Sequence, residues 1–283
     1  MRNFPIGIIA DSLRLPLYES LEKCAALGAD GVHLYAVAGE MAPERFTAGD
    51  VAKLRDALAA NKLSLSAICG DLGGHGFTIE ADNPGRIERS KRIMALARQL
   101  DCAIVTTHIG VIPEDKASRE YDVLLRACAA LARTGSELEG CFAIETGPEP
   151  ARRLLEFLQD VNAAGLAVNL DPANLVMVTG EDPVEAVHLL KDHIVHTHAK
   201  DGVMVKQTDP ARIYNYFAEG GIGDLRLSDY FEEVPLGQGQ VDFPRYLRAL
   251  EEIGYTGFLT IERETGANPE ADIALAVDFL RRC

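Results

Sequence analysis

No run of 18 or more apolar residues occurs in this 283-residue chain, so a membrane-spanning helix is not expected. No CxxC pair occurs either. Cys24, Cys69, Cys102, Cys128, Cys141 and Cys283 lie far apart, mostly in apolar segments where a free thiol packs as a small core residue. That spacing excludes a structural zinc finger and makes a reduced, cytoplasmic setting the expectation. Basic runs are also missing, and the formal charge is -15. General attraction to polyanions is therefore lacking, and nucleic acid is not an expected partner. The first strand-helix junction carries no GxGxxG, and the chain has no P-loop, which removes the simplest dinucleotide and phosphate readings. The opening apolar run ending at Ala10 is too short for a signal peptide and reads better as a first buried strand.

What is present is alternation. Strand-like apolar runs fall at about 5–9, 31–36, 64–69, 103–109, 141–146, 167–171, 194–199 and 257–262. Segments of 3.6-residue periodicity lie between them, at 16–27, 50–61, 86–100, 120–133, 151–162, 183–192, 243–253 and 269–281. Helix starts are marked near Gly49 and Asp50, at Asn83-Pro84, from Pro148 to Pro150 and at Asp182-Pro183; Gly28, Gly165 and Gly254 fall where helices should stop. Eight strands alternating with eight helices predict an α/β fold, a single (β/α)8 TIM barrel spanning 1–283. A doubly wound open sheet is the rival that pattern alone leaves standing. One connection, about 202–241 after strand seven, is longer than the rest and holds Tyr214, Tyr216, Phe217, Tyr230 and Phe231. Long loops at that end of a barrel usually cover an active site. Its aromatic surface in 202–235 could also pack on a second copy of the chain, making a homo-oligomer.

Four side chains close four of the apolar runs: Glu145, Asp171, His198 and Glu262. Asp171 follows Glu145 by 26 residues and His198 follows Asp171 by 27, each about one strand-helix unit; Glu262 follows by 64, one unit lengthened by the insertion. In a barrel such strand ends converge on one pocket. Taken singly, each would more often be a helix cap or a surface ion-pair residue. Jointly, three buried carboxylates and an imidazole need neutralising, and a shared divalent cation does so. The donors are hard and oxygen-rich, suiting Mn²⁺, Mg²⁺, Co²⁺ or Zn²⁺. Such an ion would stabilise charge on an enediolate oxygen, with Glu145 and Glu262 removing and returning a proton. Lone histidines His33, His75, His188, His193 and His196 read as structural. Gly237-Gln238-Gly239 and Gly266 are only weak candidates for a phosphate site.

At these residues the chain resembles the xylose isomerase-like superfamily of sugar isomerases and epimerases, over nearly its whole length. The resemblance is most specific in His196-Thr197-His198-Ala199-Lys200-Asp201. A second stretch runs from Pro235-Leu236-Gly237-Gln238-Gly239 through Val241-Asp242-Phe243 and Gly254-Tyr255-Thr256-Gly257 to Ile261-Glu262. Glu145-Thr146-Gly147 and Asp171-Pro172-Ala173-Asn174-Leu175 match strands five and six. Similarity to the ketose 3-epimerases implies one metal ion, Mn²⁺ first among the candidates, held by Glu145, Asp171, His198 and Glu262. It implies acid-base roles for Glu145 and Glu262, and makes His108 a pocket histidine. Lys200 and Glu149 are expected to contact substrate by position. Asn174 departs from the family, whose epimerases often place a histidine there, so it bears on substrate identity. Its presence, and the lack of an Asp-x-His after strand seven, also set the chain apart from the AP endonuclease IV group. The function implied is an isomerase or epimerase of a small carbohydrate. The alternatives are a lyase with the same bases, like inosose or dehydroshikimate dehydratases or 3-keto-glycoside eliminases, and a barrel that binds without turnover.

Overall fold

The structure, a computed structural model, describes residues 4–283. Ten strands run in chain order: β1 Ile6–Ile9, β2 Gly31–Tyr35, β3 Ser64–Cys69, β4 Ile104–Thr107, β5 Cys141–Glu145, β6 Leu166–Leu170, β7 Ile194–Ala199, β8 Asp201–Met204, β9 Phe231–Val234 and β10 Leu259–Ile261. Eight of them close a parallel ring in the order β1-β10-β7-β6-β5-β4-β3-β2. Ile8 pairs with Ile261 on one side and Val32 on the other, which joins the two ends of the sheet. The open-sheet rival is thereby excluded.

The helices are α1 Leu17–Ala26, α2 Ala48–Ala60, α3 Asn83–Gln99, α4 Arg119–Glu137, α5 Ala151–Val161, the single turn α6 Pro172–Asn174, α7 Pro183–Leu190, α8 Pro210–Glu219, α9 Phe243–Glu252 and α10 Pro269–Arg282. Each long one lays an apolar stripe on the barrel; in α4, Leu124, Cys128 and Leu131 recur at helical spacing and are fully buried. Asp182 caps α7 by accepting from the Val184 amide at 2.9 Å, as the Asp-Pro pair predicts. Two boundaries differ from expectation. Thr47 caps α2, its hydroxyl and the Asp50 carboxylate exchanging hydrogen bonds with each other's backbone amides. Gly165 does not end α5; Asn162 does, in the left-handed region at φ 48°. Gly165 serves close approach instead, since a Cβ there would lie 1.9 Å from the Ala132 carbonyl oxygen. Among the described residues, no helix is long and apolar enough to cross a membrane.

Strand alternation turns every second side chain inward. Here much of that interior is polar. Thr106 Oγ1 lies 3.0 Å from His33 Nε2, Asn169 Oδ1 2.8 Å from His196 Nδ1, and Thr260 Oγ1 2.9 Å from His196 Nε2 and 3.2 Å from Ser66 Oγ. Both nitrogens of His196 are thus engaged, as a structural histidine requires.

The long connection after β7 is built rather than loose. β8 and β9 form an antiparallel hairpin, Asp201 opposite Val234 and Met204 opposite Phe231, with α8 between them. Asp201 anchors its return: the carboxylate accepts from the amides of Gly202, Gly237, Gly239 and Val241 at 2.9 to 3.1 Å. The Gly-Gln-Gly amides that a phosphate would need are therefore spent on the chain's own carboxylate. At the other end Arg263 donates to the Glu233 carboxylate at 2.6 Å and to Asp272 at 2.8 Å. The same Glu233 oxygen accepts from the Glu264 and Thr265 amides at 3.1 and 3.4 Å.

Candidate metal centre and its cavity

Glu145 ends β5; Asp171 and Glu262 follow β6 and β10 directly; His198 is the fifth of six residues in β7. Parallel pairing at matched registers brings them together. All four are buried, and one donor atom of each lies within 4.8 Å of every other. His198 Nδ1 is 3.6 Å from Glu145 Oε1, 3.3 Å from Asp171 Oδ2 and 3.1 Å from Glu262 Oε2. Burial alone would lower the pKa of this imidazole, yet Glu262 and Glu145 raise it well above the usual histidine range.

Local chemistry orients each carboxylate. Asp171 Oδ1 caps the turn α6, accepting from the Ala173 and Asn174 amides at 2.8 and 2.9 Å, while Oδ2 is left facing His198. Glu145 Oε1 accepts from Asn174 Nδ2 and Oε2 from Asn169 Nδ2, both at 3.1 Å. Glu262 Oε2 lies 3.0 Å from Lys200 Nζ and 3.1 Å from His198 Nδ1, but off hydrogen-bond geometry, and it has no such partner among the described residues. Burial would raise the Glu262 pKa; the Lys200 and His198 charges hold it well below the usual carboxylate range. Lys200 supplies one compensating charge and is itself shared with Glu264 at 2.5 Å. Three inward carboxylates, one of them with a buried oxygen outside any hydrogen bond among the described residues, and one imidazole form a donor set that could hold a divalent cation.

The group opens into a cavity of about 770 Å³ at the C-terminal end of the barrel strands. His108, Asn174 and Lys200 line it together with Glu145, His198 and Glu262. Asp171 sits at the quartet without reaching the cavity wall, and neither does Glu149. Glu149 is buried behind the wall, and its Oε2 has no hydrogen-bond partner among the described residues. Burial lifts its carboxyl to about 8. His108 Nδ1 is 3.0 Å from Asp71 Oδ2 and its Nε2 3.7 Å from Glu145 Oε1. Burial would lower its pKa, but Glu145 and Asp71 push it up to about 10.

Sequence reasoning missed Asp71, His33, Tyr35 and Glu264, all of which line the cavity. Asp71 was findable, because only Gly70 separates it from the apolar run that forms β3. His33 Nδ1 is buried without a partner among the described residues, and burial, with help from His198, takes its pKa down to about 3, so the ring is neutral. The long connection reaches the cavity: α8 and β9 supply Ile213, Tyr214, Phe217 and Phe231 to the lining. The Tyr214 ring stands 6.0 Å from the His108 ring, and Glu219 on α8 is 2.6 Å from His75 in the loop after β3. The cover therefore crosses the mouth from the β7 side to the β3 side.

The profile of a family described as xylose isomerase-like TIM barrel matches residues 21–283. A xylose isomerase domain protein from Planctomyces limnophilus superposes with a TM-score of 0.79 at 28% identity, covering 98% of this chain and 95% of that one. An uncharacterized protein of Methanocaldococcus jannaschii is 25% identical over 182 residues, 59% of this chain and 53% of the relative, so the chain spans about half the length of that curated relative. At 17% identity, a D-psicose 3-epimerase and a probable 3-DHS dehydratase from Bacillus anthracis share the fold, with TM-scores of 0.72 and 0.76 and 98% of each chain covered.

Proposed function

The chain belongs to the xylose isomerase-like TIM barrel family, and on that footing we propose that it is a divalent-metal-dependent isomerase or epimerase of a small sugar or sugar derivative. One observation carries the reading: donors from four strand ends converge within 4.8 Å, and a buried oxygen of one of them has no hydrogen bond among the described residues. Glu145, Asp171, His198 and Glu262 would hold one ion, Mn²⁺ first, with Mg²⁺, Co²⁺ or Zn²⁺ as substitutes. When bound, such an ion supplies Lewis-acid stabilisation of the negative charge that develops on a substrate carbonyl oxygen.

The remaining work falls to the chain's own groups. Glu145 and Glu262 act as the two bases, one removing the proton beside the carbonyl and the other delivering one back. Lys200, 3.0 Å from Glu262, pairs with that carboxylate and keeps it ionised. Asn169 and Asn174 fix the orientation of Glu145 by donating to its two oxygens. His108, cationic between Asp71 and Glu145, offers its Nε2 proton to a sugar oxygen in the cavity. Four buried and two half-buried free cysteines suit a cytoplasmic setting.

The test is proton exchange. With Mn²⁺ present, a panel of ketoses in D₂O should lose the NMR signal of the hydrogen beside the carbonyl, and product mass should be conserved apart from deuterium. Glu262→Gln should abolish exchange while sugar binding persists. Loss of water or of an aglycone would assign the lyase alternative; unchanged exchange in the variant would overturn the acid-base roles of the two glutamates.

A further inference from the structure

The cavity is larger and more divided than a free sugar needs. Pockets of about 300–1,000 Å³ hold drug-sized ligands, and this one measures about 770 Å³. Glu145, His198, Lys200 and Glu262 form its polar floor at the barrel strand ends, and Glu232 and Glu233 of β9 add carboxylates at one side. Its apolar part comes from the insertion and the turn after β6, chiefly Met177, Ile213, Tyr214, Phe217 and Phe231. Phe217 is 60% exposed although it lines the cavity, its ring edge-to-face with Tyr216 at 5.8 Å at the rim.

Charge narrows the ligand further. Lys200 and Arg263 line the cavity, and both are engaged, Lys200 with Glu262 and Glu264 and Arg263 with Glu233 and Asp272. His108 is held by Asp71. Asp71, Glu233 and Glu264 are the partners of these cations, and Glu232 adds one further carboxylate to the lining outside the metal quartet. The Gly237 and Gly239 amides are bound by Asp201. A phosphate or carboxylate on the substrate would have to compete for Lys200, Arg263 and His108 with carboxylates that already hold them.

The geometry points to an uncharged sugar derivative bearing an apolar, ring-sized substituent, the sugar over the quartet and the substituent against Tyr214, Phe217 and Phe231. This deepens the proposed function and rests on it for the placement of the sugar. Aromatic rings contact such a substituent by offset or edge-to-face packing, and Met177 adds a sulfur contact.

Isothermal titration of the Mn²⁺-loaded protein tests the inference. The probes are phenyl and methyl β-glycosides of glucose, galactose and xylose, with glucose 6-phosphate as the charged control. The phenyl member of at least one pair should bind about tenfold tighter than its methyl partner. Phe217→Ala should bring that ratio toward one; the exposed position makes the variant safe to fold. Equal affinities in every pair, no binding of any glycoside, or tighter binding of the phosphate would overturn the inference. Deuterium exchange on free ketoses separates the two levels. Exchange with equal phenyl and methyl affinities sinks the substituent alone, whereas a phenyl preference without exchange sinks the proton-transfer reading alone.

Discussion

Glu149 gives the sharpest test of the electrostatics around the site, through the substitution Glu149→Gln. Burial raises its carboxyl from 4.5 to about 8, with the Ile112 backbone, His108 and Arg153 offsetting only part and Glu181 adding to the rise. Below pH 4.5 the group is protonated whether the chain is folded or not, and it contributes no difference. Between 4.5 and about 8 the unfolded chain releases a proton that the folded chain keeps. The unfolded state then binds fewer protons, so stability falls as pH rises, by about 1.4 kcal/mol per unit. The ceiling, reached above about pH 8, is about 5 kcal/mol. Glutamine has the same shape and no proton to lose. Urea unfolding of both proteins at one Mn²⁺ concentration, followed by circular dichroism from about pH 5 to about pH 8, reads the effect. The variant should gain on the parent by about 3 kcal/mol from about pH 5 to about pH 7. A constant offset would show that Glu149 is ionised in the fold, and that burial does not govern its proton.

Three further outcomes are expected. Chelation should lower the melting temperature and Mn²⁺ restore it, by about 2.7 kcal/mol of stabilisation at a hundredfold excess over the dissociation constant; Asp171→Asn should abolish that response, and a persistent response would place the ion elsewhere. Asp201→Asn weakens bonds to four backbone amides and should destabilise by about 2–4 kcal/mol, with proteolysis within 235–241 as the local readout; uncut protein would count against the anchor. Gly165→Ala, whose Cβ would meet the Ala132 carbonyl oxygen at 1.9 Å, should cost about 3 kcal/mol or prevent folding. Gly254→Ala, with φ 76° but open space around it, should cost only about 1–2 kcal/mol. Equal melting points would refute the distinction.

The barrel was legible because its signals are local and repeated. The run Cys141 to Glu145 and the run Leu166 to Asp171 each show a strand that ends on a chemically expensive side chain, and the closed ring brings those ends together. The covering segment was less legible. Asp209-Pro210 carries the same cap signal as Asp182-Pro183, and Asp209 does accept from the Ala211 amide at 3.0 Å, but α8 buries only Ile213 and so shows no core-facing stripe. The hairpin strand Phe231-Glu232-Glu233-Val234 has two adjacent acids, which hide its alternation. Glu233 is buried only because Arg263 and two amides, 30 or more residues away, receive it. Glu149 shows the converse failure: its place near a strand end suggested the cavity, and only packing decides that its carboxyl lies behind the wall.

That grip of Glu233 on the residues just past Glu262 welds two distant stretches of polypeptide into one part. A designer who exchanges 202–241 for another cover, to admit a different ligand, removes the acceptor that Arg263 and the Glu264 and Thr265 amides lean on. The replacement must bring its own carboxylate to that spot, or the exit of the last barrel strand, with Glu262 beside it, will drift. Specificity and chemistry in this barrel cannot be re-engineered as separate modules.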